Sequence, residues 1–243
     1  SSDAEMTLTE LARVEGALEP DDTALAAFLR AEAYTVLGRD AESKAVLGEA
    51  LAHGPHALVA LGLAERFAAS GAVPDALSMF ETALTGDLYG FRSRGEVALL
   101  AGQLAASEGK PREALAFLEI ASDEEATRGA ALQRMVPIHL ALGELASSRV
   151  ALVELARRAP EDERAQVLAE LARQLLRSND PADVSEGERA LEEALLLAPE
   201  GTELRRTLEE ELEKARRRSH KPPPVESVES AEGAEGAGRV DQD

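Results

Sequence analysis

Four glycines recur along the chain at near-regular intervals: Gly38, Gly71, Gly109 and Gly143, separated by 33, 38 and 34 residues. Self-similarity on this scale constrains a chain more than any local motif, because a unit too small to bury its own apolar face must stack against its copies. Upstream of each glycine lies an apolar segment with helical spacing, such as Leu25, Phe28, Leu29, Tyr34 and Leu37, or Leu58, Leu61, Leu63 and Phe67. Downstream lies a second, with Ala45, Leu47, Ala50 and Leu51 in one unit and Ala76, Leu77, Phe80, Ala83 and Leu84 in the next. The pattern predicts pairs of helices, each pair a hairpin turning at its glycine. Composition agrees: 44% of residues are apolar, mostly Ala and Leu, and only 3% are aromatic, which favours helix over strand.

These units resemble the tetratricopeptide repeat (TPR), a helix-turn-helix module of about 34 residues. The stretch from Leu63 through Ala64 and Phe67 to Gly71 carries the pattern best, followed by Ala76, Phe80 and Ala83 at the small, aromatic and small positions of a second helix. The first unit repeats it with Ala31, Tyr34, Gly38, Ser43, Leu47, Ala50 and the closing Pro55. The third has Gly102, Ala105, Gly109, Ala114, Leu118 and Ala121; the fourth has Val136, His139, Gly143, Ser148, Leu152, Leu155 and Pro160. A fifth, more degenerate unit carries Leu171, Ala172 and Leu175, then Leu191, Ala194, Leu195 and Pro199, and its turn around Ser178-Asn179-Asp180-Pro181 lacks the glycine. The tryptophan of the family pattern is absent throughout. The resemblance implies an all-α fold: a right-handed superhelical solenoid of antiparallel helix hairpins, about five repeats plus capping helices.

Residues 24–199 form the expected repeat array. Residues 1–23 are expected to hold one further helix, a partial repeat or cap with Leu8, Leu11, Val14 and Leu18 on one face. Residues 200–218, opening at the N-cap candidate Thr202, are polar on most faces, as a terminal cap must be. From Ser219 to residue 243 the chain is rich in Pro, Gly and acids, a composition expected to be disordered.

The net charge of -20 sets a field that repels phosphate backbones, so nucleic acid is not an expected partner. No apolar run approaches the roughly 20 residues that span a bilayer. Without cysteine there is no disulfide, thiolate metal site or Cys nucleophile. His53 and His56 in AHGPHA lack an evident third ligand, His139 occupies an aromatic slot of the repeat, and His220 lies in the acidic segment. GFRSRG has its serine one residue off a nucleophile elbow and no preceding strand, and GAEGAG lacks the strand, helix and lysine of a phosphate loop. No catalytic, cofactor-binding or metal-ligating residue is therefore expected. The cluster KARRRSHK, residues 214–221, complements a helix C-terminus, or offers a docking point for an acidic partner or membrane surface.

The resemblance further implies that the first helices line a concave groove where a partner protein or peptide binds. Groove-facing positions would be Leu25, Phe28, Glu32 and Val36, then Leu58, Leu61 and Glu65, then Leu99 and Gln103, with Gln133, Arg134, Arg173 and Arg177 toward the far end. Phe28 and Glu32 stand where a chaperone-tail clamp has Lys and Asn, and Leu99 and Leu100 where it has an apolar residue and Arg, which argues against that ligand. The 38-residue spacing inserts about four residues at DLYGFRSRG, where Tyr89, Phe91, Arg92 and Arg94 are either partner anchors or an aromatic plug sealing a widened junction. The expected function is a non-enzymatic, bacterial scaffold or adaptor, with cytoplasmic localisation. Because the chain opens at Ser1 and not Met, a regulatory domain of a larger signalling protein, or a processed envelope lipoprotein that helps assemble a secretion or motility complex, stays open.

Overall fold

The structure, a computed structural model, describes residues 2–18, 20–54 and 56–219. Twelve α-helices and one 3-10 turn make up the regular structure among the described residues, and no strand is present there. In chain order the helices are α1 (Ser2–Val14), α2 (Pro20–Val36), α3 (Asp40–Ala52), α4 (Ala57–Ala69), α5 (Val73–Ala83) and α6 (Arg94–Ser107). They continue with α7 (Pro111–Asp123), α8 (Glu125–Ala141), α9 (Leu145–Arg158), α10 (Glu161–Leu175), α11 (Pro181–Leu197) and α12 (Glu203–Ser219). Two boundaries differ from expectation: α2 opens at Pro20, inside the segment assigned to the N-terminal helix, and α12 runs one residue further, to Ser219. The closing Pro55, His220 and the disorder expected over 220–243 lie outside the described residues.

The four spaced glycines do the work their periodicity predicts. Gly38, Gly71, Gly109 and Gly143 adopt φ of 71°, 76°, 69° and 74°, a left-handed conformation that costs a side-chain-bearing residue about 1 kcal/mol or more. At each, the next residue's N–H reaches back to the carbonyl in the aromatic slot: Arg39 to Tyr34, Ala72 to Phe67, Lys110 to Ala105 and Glu144 to His139, at 2.8–3.0 Å. This is the Schellman closure, which satisfies carbonyls the helix end would otherwise orphan. The fifth turn, without a glycine, closes by short-range bonds from Arg177 and Ser178, and Asp180 caps α11 by accepting from the Ala182 N–H at 2.9 Å.

Within hairpins α2 packs on α3, α4 on α5, α6 on α7, α8 on α9 and α10 on α11. One apolar cluster runs from Phe28 on α2 to Met135 on α8 through Leu61, Phe80, Val97 and Leu118. A second, built of Ala and Leu without an aromatic among its buried members, joins α9 to α12. Between hairpins the first helices meet unevenly. The α2/α4 and α6/α8 pairs pack directly, whereas neither α4/α6 nor α8/α10 has comparable packing.

Candidate partner-binding groove

The α4/α6 gap falls where the glycine spacing lengthens. Between α5 and α6 the chain runs from Leu84 to Ser93, anchored by the buried Leu88. Asp87 Oδ1 accepts from the Tyr89 N–H at 2.7 Å, and Tyr89 and Gly90 both take positive φ, 52° and 73°. A tyrosine in that region stores about 1–2 kcal/mol of strain, which the surrounding contacts must offset. They do so by folding the insertion back across the neighbouring repeats. The Phe91 ring meets Phe28 edge-on, with centroids 5.0 Å apart and planes at 60°, and Tyr89 stacks on His56 at 5.7 Å. Arg92 donates from Nε and Nη2 to Glu65 Oε1 at 3.1 and 3.0 Å. Ser93 then starts α6 through a reciprocal capping box with Glu96.

The insertion therefore covers part of a neighbouring repeat, as a plug does, and leaves much of its own ring surface open. Phe91 covers Phe28, which is only 5% exposed, yet Phe91 and Tyr89 each keep 46% of their own surface open to solvent. Between α4 and α6 lies a groove of about 680 Å³, walled by Glu65 and Ala68 of α4 and by Leu100, Gln103 and Leu104 of α6, with Phe80 behind and Arg92 at its mouth. Apolar walls with a few polar groups at the rim suit a peptide segment.

Polar pairs tie the first helices to one another around the groove. Arg66 of α4 is 7% exposed and reaches Glu32 Oε1 at 2.5 Å, Thr35 Oγ1 at 2.8 Å and Ser43 Oγ at 3.0 Å, so its charge is paired and its donors are filled. The Gln103 amide, oriented with its oxygen toward α8, accepts from Arg134 Nε at 2.7 Å. Arg173 donates from Nε to Glu211 Oε1 at 2.9 Å on α12. Further along, Glu144 is held between His139 and Arg112, and the His139 hydrogen bond first, then that of Arg112, pushes its carboxyl below the usual range.

The structure corrects part of the expected groove. Leu58 and Leu61, 0% and 1% exposed, are core residues, and Phe28 reaches the surface only as the seat of Phe91. They point between helices because α4 is enclosed by α2, α3 and α5. Leu25 and Leu99 are half-buried against the same core, Val36 is exposed, and Arg94 is exposed at the start of α6. Glu65, Arg92 and Gln103 line the α4/α6 gap, whereas Glu32 pairs with Arg66 and Phe91 packs on Phe28, both toward α2. Arg173 and Arg177 lie at the other end of the array. His53 and His56 engage different neighbours: His53 Nδ1 bonds the Glu49 carbonyl at 2.8 Å, while His56 stacks on Tyr89. Missed were Arg66, Ala68 and Leu104. A lone arginine inside the apolar run of α4 is the one signal that pointed to a buried pair.

Comparison with known proteins places this geometry in a fold. No family model and no curated protein matches the chain. Among solved structures, YrrB, a TPR protein described as having an unusual peptide-binding site, matches with a TM-score of 0.53 at 16% identity, over 79% of this chain and 92% of its own. The MamA protein matches with a TM-score of 0.51 at 13% identity, over 84% and 98% respectively. The chain has the all-α, TPR-like helical repeat fold.

Proposed function

We propose that the chain is a non-enzymatic adaptor that holds an extended segment of a partner protein in the α4/α6 groove. The observation that carries this reading is the groove itself, apolar along α4 and α6 with Arg92 of the insertion at its mouth, while the same insertion exposes the Tyr89 and Phe91 rings. Aromatic and arginine side chains at the margin of an apolar cleft are the residue types that dominate interface energetics. Two of the most exposed large side chains in the middle of the array are these two rings. Support from fold analogy is general only: YrrB, similar in fold, is described as a peptide binder.

Peptides selected from a displayed random library against the full chain test the reading. Phe91→Ala and Arg92→Ala are expected to weaken the selected peptides by roughly 2 kcal/mol each, about thirtyfold, with unchanged far-UV circular dichroism. Binding that is indifferent to both substitutions contradicts it.

A further inference from the structure

The C-terminal end of the array carries a different cleft, of about 280 Å³, between the end of α10, the start of α11 and α12. Arg173 and Arg177 face Lys214 and Arg218 across it, over an apolar floor that includes Leu176, with Glu211 as its acidic member. Two of the four cations have work already. Arg173 pairs with Glu211 and Glu170, and Arg218 Nη1 donates to the Leu176 carbonyl at 3.0 Å. Arg177 and Lys214 make no side-chain hydrogen bond or ion pair within the described residues. Helix-dipole compensation accounts for cations in the last turn of α12, but not for Arg177, which converges on the cleft from the end of another helix. A concentration of cations in one cleft of a chain with net charge -20 is built for an anion.

The sequence beyond α12 supplies one. In VESVESAEGAEG, Glu226, Glu229, Glu232 and Glu235 recur at every third position, and no base lies between Lys221 and Arg239. We propose that this acidic segment docks in the basic cleft of its own chain. The spacing supplies four carboxylates within ten residues of sequence, matching the four cations of the cleft in number. Glu226 follows Arg218 by eight residues, a reach of up to about 26 Å, so the segment can return over the end of α12. Tethering on a short connection gives an effective concentration on the order of millimolar, which an untethered acidic peptide must exceed to displace it. The cleft is thus filled first in cis, and an acidic partner in trans binds only by winning that competition.

The absence of cysteine makes a clean test possible. A nitroxide on Ser230→Cys in the full chain is expected to broaden the amide signals of Arg177 and Lys214 beyond detection at low salt, and to spare them at about 0.5 M NaCl, where the screening length is only a few ångströms. Replacing all four glutamates with Gln keeps the tether and removes the charge, and at least fivefold weaker broadening is expected. The double variant Arg177→Glu, Lys214→Glu is expected to abolish broadening at Ala215, whereas Arg13→Glu, Lys44→Glu, the same charge change elsewhere, leaves it unchanged. Broadening absent at low salt, or unaltered in the Gln variant as mere proximity would give, overturns the proposal.

Discussion

Two junctions between neighbouring hairpins differ by nine residues in length and have opposite consequences. Between α7 and α8 a single residue, Glu124, joins the helices. Its carboxylate reaches across to cap α6, accepting from the Gly95 N–H at 2.7 Å, and Thr127 Oγ1 ties α8 to the Ala121 carbonyl at 2.6 Å. Across this short link α6 lies directly on α8. Between α5 and α6 the link runs from Leu84 to Ser93, and the first helices part to leave the groove. The hairpins themselves turn identically, at glycines of the same conformation. At these two junctions the closely packed first helices go with the one-residue link and the parted ones with the ten-residue link.

The largest effect should come from wedging the sealed junction. A Cβ at Gly95 would sit 2.3 Å from Thr127 Oγ1 and 2.7 Å from Glu124 Oε2, so Gly95→Val must push α6 from α8. A loss of about 3 kcal/mol in urea unfolding is expected. A value near zero would mean the contact is easily relieved and the junction is not sealed by it. Next in size, Leu88→Ala removes the anchor of the open junction, a residue 6% exposed. It should cost roughly 2 kcal/mol and release the insertion, with faster amide exchange at Phe91 and Arg92 as the check.

Much of this architecture was legible in the sequence. The glycine spacing located four turns, because only a left-handed residue lets the Schellman bonds form there, and the position of the insertion followed from the 38-residue interval. The path of that insertion was not legible. It depends on where Phe28, His56 and Glu65 stand after folding, and no local pattern encodes such long-range contacts. Leu58 and Leu61 were placed in the groove for a related reason. Periodicity reports that a helix has an apolar face, but α4 is enclosed on several sides, and a 3.6-residue pattern does not say which neighbour covers which leucine.

The smallest predicted effect is one of pH. Glu144 links the turn between α8 and α9 to Arg112 on α7, an ion pair between neighbouring hairpins. Its carboxyl is held below the ordinary range by His139 and Arg112, so its contribution is complete above the unfolded-state value and fades as pH falls through the lower, folded value. Glu144→Gln should therefore be less stable than the parent at pH 7, and the gap should close in the acid range below the usual carboxylate titration. A gap independent of pH would assign the effect to shape and not charge.

Filling the groove separates the two junctions most directly. Ala68 lines one wall of it, whereas Ser78 is exposed on α5 outside it. Affinity of library-selected peptides for the full chain, measured by isothermal titration, should fall at least tenfold in Ala68→Trp and stay within twofold of the parent in Ser78→Trp. Equal affinity in both variants would contradict the claim that the α4/α6 groove is the binding site.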